Sequence, residues 1–224
     1  MSDHSILIGA CGWQYPEWDD SYYPEGLPEE WRLAFYGNEY PVVLIPAAYW
    51  SQGRGAVDSW LQETDRLPRF ICEWSFEYDS NKQAAVYDLI DALGERVDGV
   101  LLSLTGMPDE IELATIHKLL ASYPVCLDWP NAEPEQMQII FRHPLITQRL
   151  SVCWHGEVEK KSDLDYGSLV LARVNSAGQT PRSLRTILET MLASSHDREG
   201  VLLFDGQPPD LEIVDQAQVL MNLL

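Results

Sequence analysis

Three charged residues of this 224-residue chain stand inside otherwise apolar runs: Glu73 in Phe-Ile-Cys-Glu-Trp, Asp128 after Val-Cys-Leu, and Arg173 in Leu-Ala-Arg-Val. A charge placed in such a run needs a partner, because burying it unpaired is costly. Brought together, the two acids are candidates for proton transfer, and the arginine is an anchor for an anionic or polar ligand. The same residues would serve equally as a structural ion-pair cluster plugging an apolar interior, a role that needs no reaction to justify it. His155 and Asp205 follow later apolar runs and Asn175 lies two positions past Arg173, which extends the candidate polar set.

A metal site needs converging donors. His155, Asp128, Glu73 and Asp205, with Cys126 and Cys153, supply nitrogen, oxygen and sulfur of the kinds that hold zinc or manganese. Yet no two histidines share a strand or a helical turn, and His4, His117, His143 and His196 fall at a terminus or on helical stretches. The expectation is a chain with no bound metal and no cofactor. Serine chemistry fares no better, since there is no Gly-x-Ser-x-Gly elbow.

The elements that must position these residues alternate in period. Strand-like runs cover Ile6–Ile8, Pro41–Ile45, Phe70–Trp74, Val97–Leu104, Val125–Asp128, Leu150–Trp154, Leu169–Val174 and Val201–Phe204. Helical patterns open at Pro28 and cover Ala56–Thr64, Lys82–Leu93, Asp109–Ser122, Glu133–Phe141, Pro181–Ala193 and Leu211–Leu223. Strands apolar throughout and separated by helices imply a parallel sheet covered on both faces. Their number favours a single (β/α)8 barrel domain spanning residues 1–224 over an open doubly wound sheet, for which the Gly-x-Gly-x-x-Gly turn is missing. Between the sixth and seventh strands HGEVEKKSDLDY is too short and polar for a covering helix, so the barrel should be irregular there. In a barrel, chemistry sits at the C-terminal ends of the strands. Strand alternation then points Cys11, Leu44, Pro46, Glu73, Ser103, Asp128, His155, Arg173, Asn175 and Asp205 inward.

A formal charge of −20 and a pI near 4.4 argue against nucleic acid and anionic membrane surfaces, both of which the field would repel. No apolar run reaches membrane-spanning length, and Cys11, Cys72, Cys126 and Cys153 are scattered as reduced buried thiols are. A cytoplasmic protein with a small-molecule ligand is expected; no particular protein partner is indicated.

The loop after the first strand carries Trp13, Tyr15, Trp18, Tyr22 and Tyr23, punctuated by Pro16, Pro24 and Pro28. These rings either cover a hydrophobic end or, with Tyr49, wall a ligand site; Trp13, Tyr15 and Tyr49 would suit a ring-bearing or sugar-like ligand. The motif Gly9-x-x-Gly12-Trp13-x-Tyr15-x-x-Trp18, followed by Tyr23-Pro24, resembles the opening of the YecE-like family, domain of unknown function 72. Weaker likeness continues through Trp60, Ala172–Asn175 and Val201–Phe204. That resemblance implies a barrel with a polar pocket and no established reaction. Asp128 and Arg173 fit the family pattern, whereas Leu44 and Pro46 replace a Glu and an Asn, Glu73 a Lys, Asn175 a His, and Asp205-Gly206 an Asn pair. Two classes of function follow: a non-catalytic barrel that binds a ligand or a protein through the acidic, aromatic face at its mouth, or a hydrolase- or lyase-type enzyme using Asp128 and Glu73 as acid and base with Arg173 as substrate anchor.

Overall fold

The computed structural model describes residues 6–62, 67–144, 146, 149–195 and 198–224. His4, His196 and the end of the helical pattern at Thr64 lie outside them.

One parallel sheet forms from β1 (Ile6–Cys11), β2 (Val42–Ile45), β3 (Arg69–Trp74), β4 (Val97–Ser103), β5 (Val125–Asp128), β6 (Leu150–Val152), β7 (Val170–Asn175) and β8 (Gly200–Asp205). Its order, β6-β5-β4-β3-β2-β1-β8-β7, brings β6 round to β7 and closes a (β/α)8 barrel with one seam. The covering helices are α1 (Arg32–Gly37), α2 (Gly53–Gln62), α3 (Ser80–Ala92), α4 (Glu110–Ser122), α5 (Pro134–Arg142), α6 (Pro181–Ser195) and α7 (Leu211–Met221).

Capping chemistry fixes several helix starts. Asp79 accepts from Lys82 N–H, so α3 begins two residues before its apolar periodicity. Asp109 and Glu112 form a reciprocal capping box at α4, and Pro134 takes the first turn of α5, where its missing N–H is no loss.

At the seam β6 stops at Val152, and beyond it Trp154 alone bridges to Ala172 of β7. Trp154 N–H donates to Leu171 O at 3.0 Å and Arg173 N–H to Trp154 O at 2.9 Å. Lower down, the buried Ser151 hydroxyl accepts from Leu169 N–H at 3.0 Å, a side chain standing in for a ladder bond. The polar link that follows forms only a 3-10 segment, Val158–Asp165, kinked at Lys160. The covering layer is thin where the sequence is polar.

Inside the barrel, Cys11, Leu44, Ile71, Leu101, Cys126, Cys153, Leu171 and Leu203 pack in one apolar cluster. Two residues further along the strands lie Glu73, Ser103, Asp128, His155, Arg173 and Asp205, so the alternation read from sequence holds. The outward faces pack against the helices in a second cluster rich in aromatics.

The first glycine of the aromatic motif has a steric cause. The Tyr36 hydroxyl inserts between β1 and β2, accepting from Ala10 N–H at 2.7 Å and donating to Val42 O at 3.1 Å. A Cβ on Gly9 would lie 3.0 Å from that hydroxyl and would overlap the Val42 carbonyl. Gly9→Ala should therefore cost about 1–3 kcal/mol through overpacking. Gly55→Ala, in open space on α2, should be neutral or stabilising by up to ~1 kcal/mol. Denaturant unfolding of both variants checks the contrast.

Candidate active site

Above the apolar interior, Arg173 reaches across the barrel to three carboxylates. Its Nη1 donates to Glu73 Oε1 and to Asp128 Oδ2, both at 3.1 Å. Nε donates to Asp205 Oδ2 at 3.1 Å, and Nη2 lies 2.9 Å from the same oxygen. Positions two residues past the inward-facing Ile71, Cys126, Leu171 and Leu203 share a depth, which is why one guanidinium can meet all three acids.

Each acid has further partners. Glu73 Oε2 accepts from Ala47 N–H at 2.9 Å, and its Oε1 accepts a long bond from the Ser103 hydroxyl at 3.4 Å. Asp205 Oδ1 accepts from Gly206 N–H at 2.8 Å. Asp128, the most enclosed, has 9% of its side chain exposed. Burial pushes its carboxyl up, but His155 and Arg173 facing it outweigh burial and hold it below the ordinary 3.8. The carboxylate is therefore ionised at neutral pH and is not a proton donor there. His155 Nε2 lies 3.0 Å from Asp128 Oδ1, within ion-pair distance, and this buried nitrogen has no other polar partner among the described residues.

Two expectations need correction. Arg173 does not present a free cation to an anionic substrate, since three carboxylates already occupy it. Trp13 is not a wall open to ligand: it is fully buried, edge-on to Tyr49 and Trp60 at 4.9 and 5.0 Å between ring centres. Gly12, with φ +81°, turns the chain outward after β1 and carries Trp13 into the helix-facing core. Tyr23 donates to Trp13 O at 2.6 Å, and Trp18, Tyr22 and Tyr23 pack as a covering flap against Phe35 and one another. The hydroxyls of Tyr15 and Tyr49 close over Gly12, one donating to Cys11 O and the other accepting from Gln14 N–H. Asn175 turns into its own loop, accepting from Ala177 N–H at 2.8 Å, and stands outside the network.

A cavity of about 560 Å³ lies on the other side of the cluster, between α5 and the 3-10 segment, where the covering helix is missing. His155 and Cys153 reach it from the barrel, Trp129, Met137 and Tyr166 give it apolar surface, and Glu133, Glu159, Asp163 and Lys160 its charge. Tyr166 is stacked on Phe141 at 4.4 Å. Sequence reading missed Trp129, Cys153 and Tyr166 as lining residues; the one available signal was the polar link itself, which left a gap beside β6.

A closed parallel barrel with a polar cluster on the C-terminal ends of its strands places the chain among the TIM-type barrels. More narrowly, it belongs to the DUF72 family, described as a protein of unknown function, whose model matches residues 7–224. Two crystal structures of a DUF72 family protein from Enterococcus faecalis are similar, at TM-score 0.70 with 14% and 15% identity; the matches cover 98–99% of this chain and 96–99% of that one. Phosphoribosylanthranilate isomerase from Thermotoga maritima matches at TM-score 0.54 and 11% identity, over 98% of this chain and all of the other, a likeness of fold alone. No curated protein matches the chain in sequence.

Replacing Arg173 by Ala would leave enclosed carboxylates without their cation and should cost about 3–5 kcal/mol. The lowered Asp128 carboxyl adds a pH dependence of definite sign. A depressed folded-state value contributes stability in full above the ordinary 3.8 and loses it as pH falls below that value. Urea titrations between neutral pH and about pH 3 should show this acid loss in the parent and a shallower one in Asp128→Asn.

Proposed function

We propose that this barrel binds a small polar, ring-bearing ligand at the C-terminal end of β5 and β6, and that the ligand is neutral or cationic. The observation that carries the reading is the cavity beside the Arg173 cluster, with Trp129 and Tyr166 as apolar walls and His155 as a polar contact. A concavity of this size whose lining mixes aromatic walls with polar groups is a form a small-molecule site takes, here with polar and apolar surface in near-equal share. Charge selects within that class. Glu73, Asp128 and Asp205 against Arg173 leave the cluster negative, and the cavity rim adds three acids to one lysine.

Binding without catalysis fits the cluster better than acid–base chemistry. Both oxygens of Glu73 already accept hydrogen bonds, and Asp128 is held ionised by its neighbours. An enzyme of hydrolase or lyase type would need another proton donor; His155 is the group within reach of both Asp128 and the cavity.

Thermal shift against a panel of nucleosides, amino sugars and their phosphorylated counterparts tests the reading. A ligand at a hundred times its Kd should stabilise the parent by about 2.7 kcal/mol, its phosphorylated form should not, and Tyr166→Ala should remove the effect. Equal response from Tyr166→Ala, or preference for the phosphorylated compounds, would contradict it.

A further inference from the structure

We infer that Asp128, Cys153 and His155 form a binding site for a divalent transition metal of zinc type, with one coordination position open to the cavity between α5 and the 3-10 segment. Their donor atoms, one carboxylate oxygen, one thiol sulfur and one imidazole nitrogen, all lie within 4.8 Å of one another. A tetrahedral zinc at ~2.0–2.3 Å from each needs donors roughly 3.3–3.8 Å apart; His155 Nε2 and Asp128 Oδ1 are already 3.0 Å apart, and the widest separation has to close by no more than about 1 Å. A mixed nitrogen, oxygen and sulfur set suits a borderline-soft ion and not magnesium or calcium, which take oxygen.

The backbone holds the donors in place. Cys153 N–H donates to Leu127 O at 2.7 Å, and Arg173 N–H to Trp154 O at 2.9 Å, fixing the segment between them beside the end of β5. Two features inside the cluster leave its donors available to an ion. The buried His155 Nε2 is turned toward Asp128 Oδ1 at 3.0 Å and has no other polar partner among the described residues. The Cys153 sulfur has no strong partner, making a weak 4.0 Å contact to Trp154 O and a thiol contact to Cys126. Asp128 is also oriented from behind, for Arg173 holds its other oxygen at 3.1 Å, as outer partners hold ligating carboxylates.

Charge and protons balance. Binding displaces the Cys153 thiol proton to solvent, with no oxidation or reduction, and the dication meets the thiolate and the Asp128 carboxylate beside a cluster that is already negative. Cys153 and His155 line the cavity, so a water or a ligand atom has access to the fourth position. This reverses the expectation from sequence, where spacing brought no two ligands together: the trio is made by adjacent strand ends, which spacing along the chain does not register. The inference does not depend on an organic ligand, although the two sites share His155.

The test is cobalt and zinc titration of the metal-stripped full chain, followed by elemental analysis after desalting. The parent should retain stoichiometric metal, and its cobalt form should show a sulfur-to-metal charge-transfer band in the near ultraviolet. Cys153→Ser and His155→Ala should each weaken binding on the order of 10–100-fold or more, Cys153→Ser should abolish the band, and His117→Ala should change neither. Thermal melts of the metal-free variants establish that they are folded, and His155 is exposed enough for its variant to keep the fold if Cys153→Ser does not. No retained metal in the parent, or an unchanged cobalt spectrum in Cys153→Ser, overturns the inference. Tyr166→Ala, which disables the proposed organic site, should leave metal binding intact, so the two readings fail separately.

Discussion

One guanidinium ties together the three carboxylates at the mouth of this barrel. The interior is lined by Leu, Ile, Val and Cys, and nothing in that layer can partner a charge. The three carboxylates above it are held there by Arg173, which stands on β7 and reaches β3, β5 and the neighbouring β8. Its bonds therefore cross the barrel as well as follow its wall. They matter most beside the seam, where β6 and β7 share a single bridge in place of a ladder. The guanidinium's planar fork supplies donors in the directions three acids require, which a lysine ammonium would not reproduce.

The irregular link after β6 ties the scaffold to its chemistry. A full helix there would pack against β6 and fill the space now bounded by α5 and the 3-10 segment. Its replacement by a short kinked turn leaves Cys153 and His155 with a face open to a cavity, while their other contacts belong to the barrel. The ion-pair cluster and the cavity lining thus meet on one strand end, and Asp128 belongs to both sides, with one oxygen toward Arg173 and the other toward His155.

Much of this was legible from the chain. Period-two alternation placed Glu73, Asp128, Arg173 and Asp205 at one depth because a buried charge in an apolar strand has few places to point. The polar run after Trp154 announced the weak cover over the barrel. What misled was the aromatic loop: Trp13 and its neighbours have the composition of a binding surface, yet the positive φ at Gly12 sends them outward into a flap over α1. Asn175 sits at inward parity as the last residue of β7, in register with Asp205, where its side chain serves the following turn. Cys153 read both as a buried thiol and as one of several possible metal donors, and spacing along the chain did not single out Asp128 and His155 as the two that approach it in space.

The hub is tested most directly by a double-mutant cycle between Arg173 and Asp128, measured by chemical unfolding of Arg173→Met, Asp128→Asn and the double variant. If the guanidinium satisfies Asp128 as the distances indicate, the coupling should be on the order of 1–3 kcal/mol, with the double variant more stable than the sum of the single losses allows. Additive losses, agreeing within about 0.5 kcal/mol, would show that the two residues do not support one another and would remove the interaction from which the rest of the site is built.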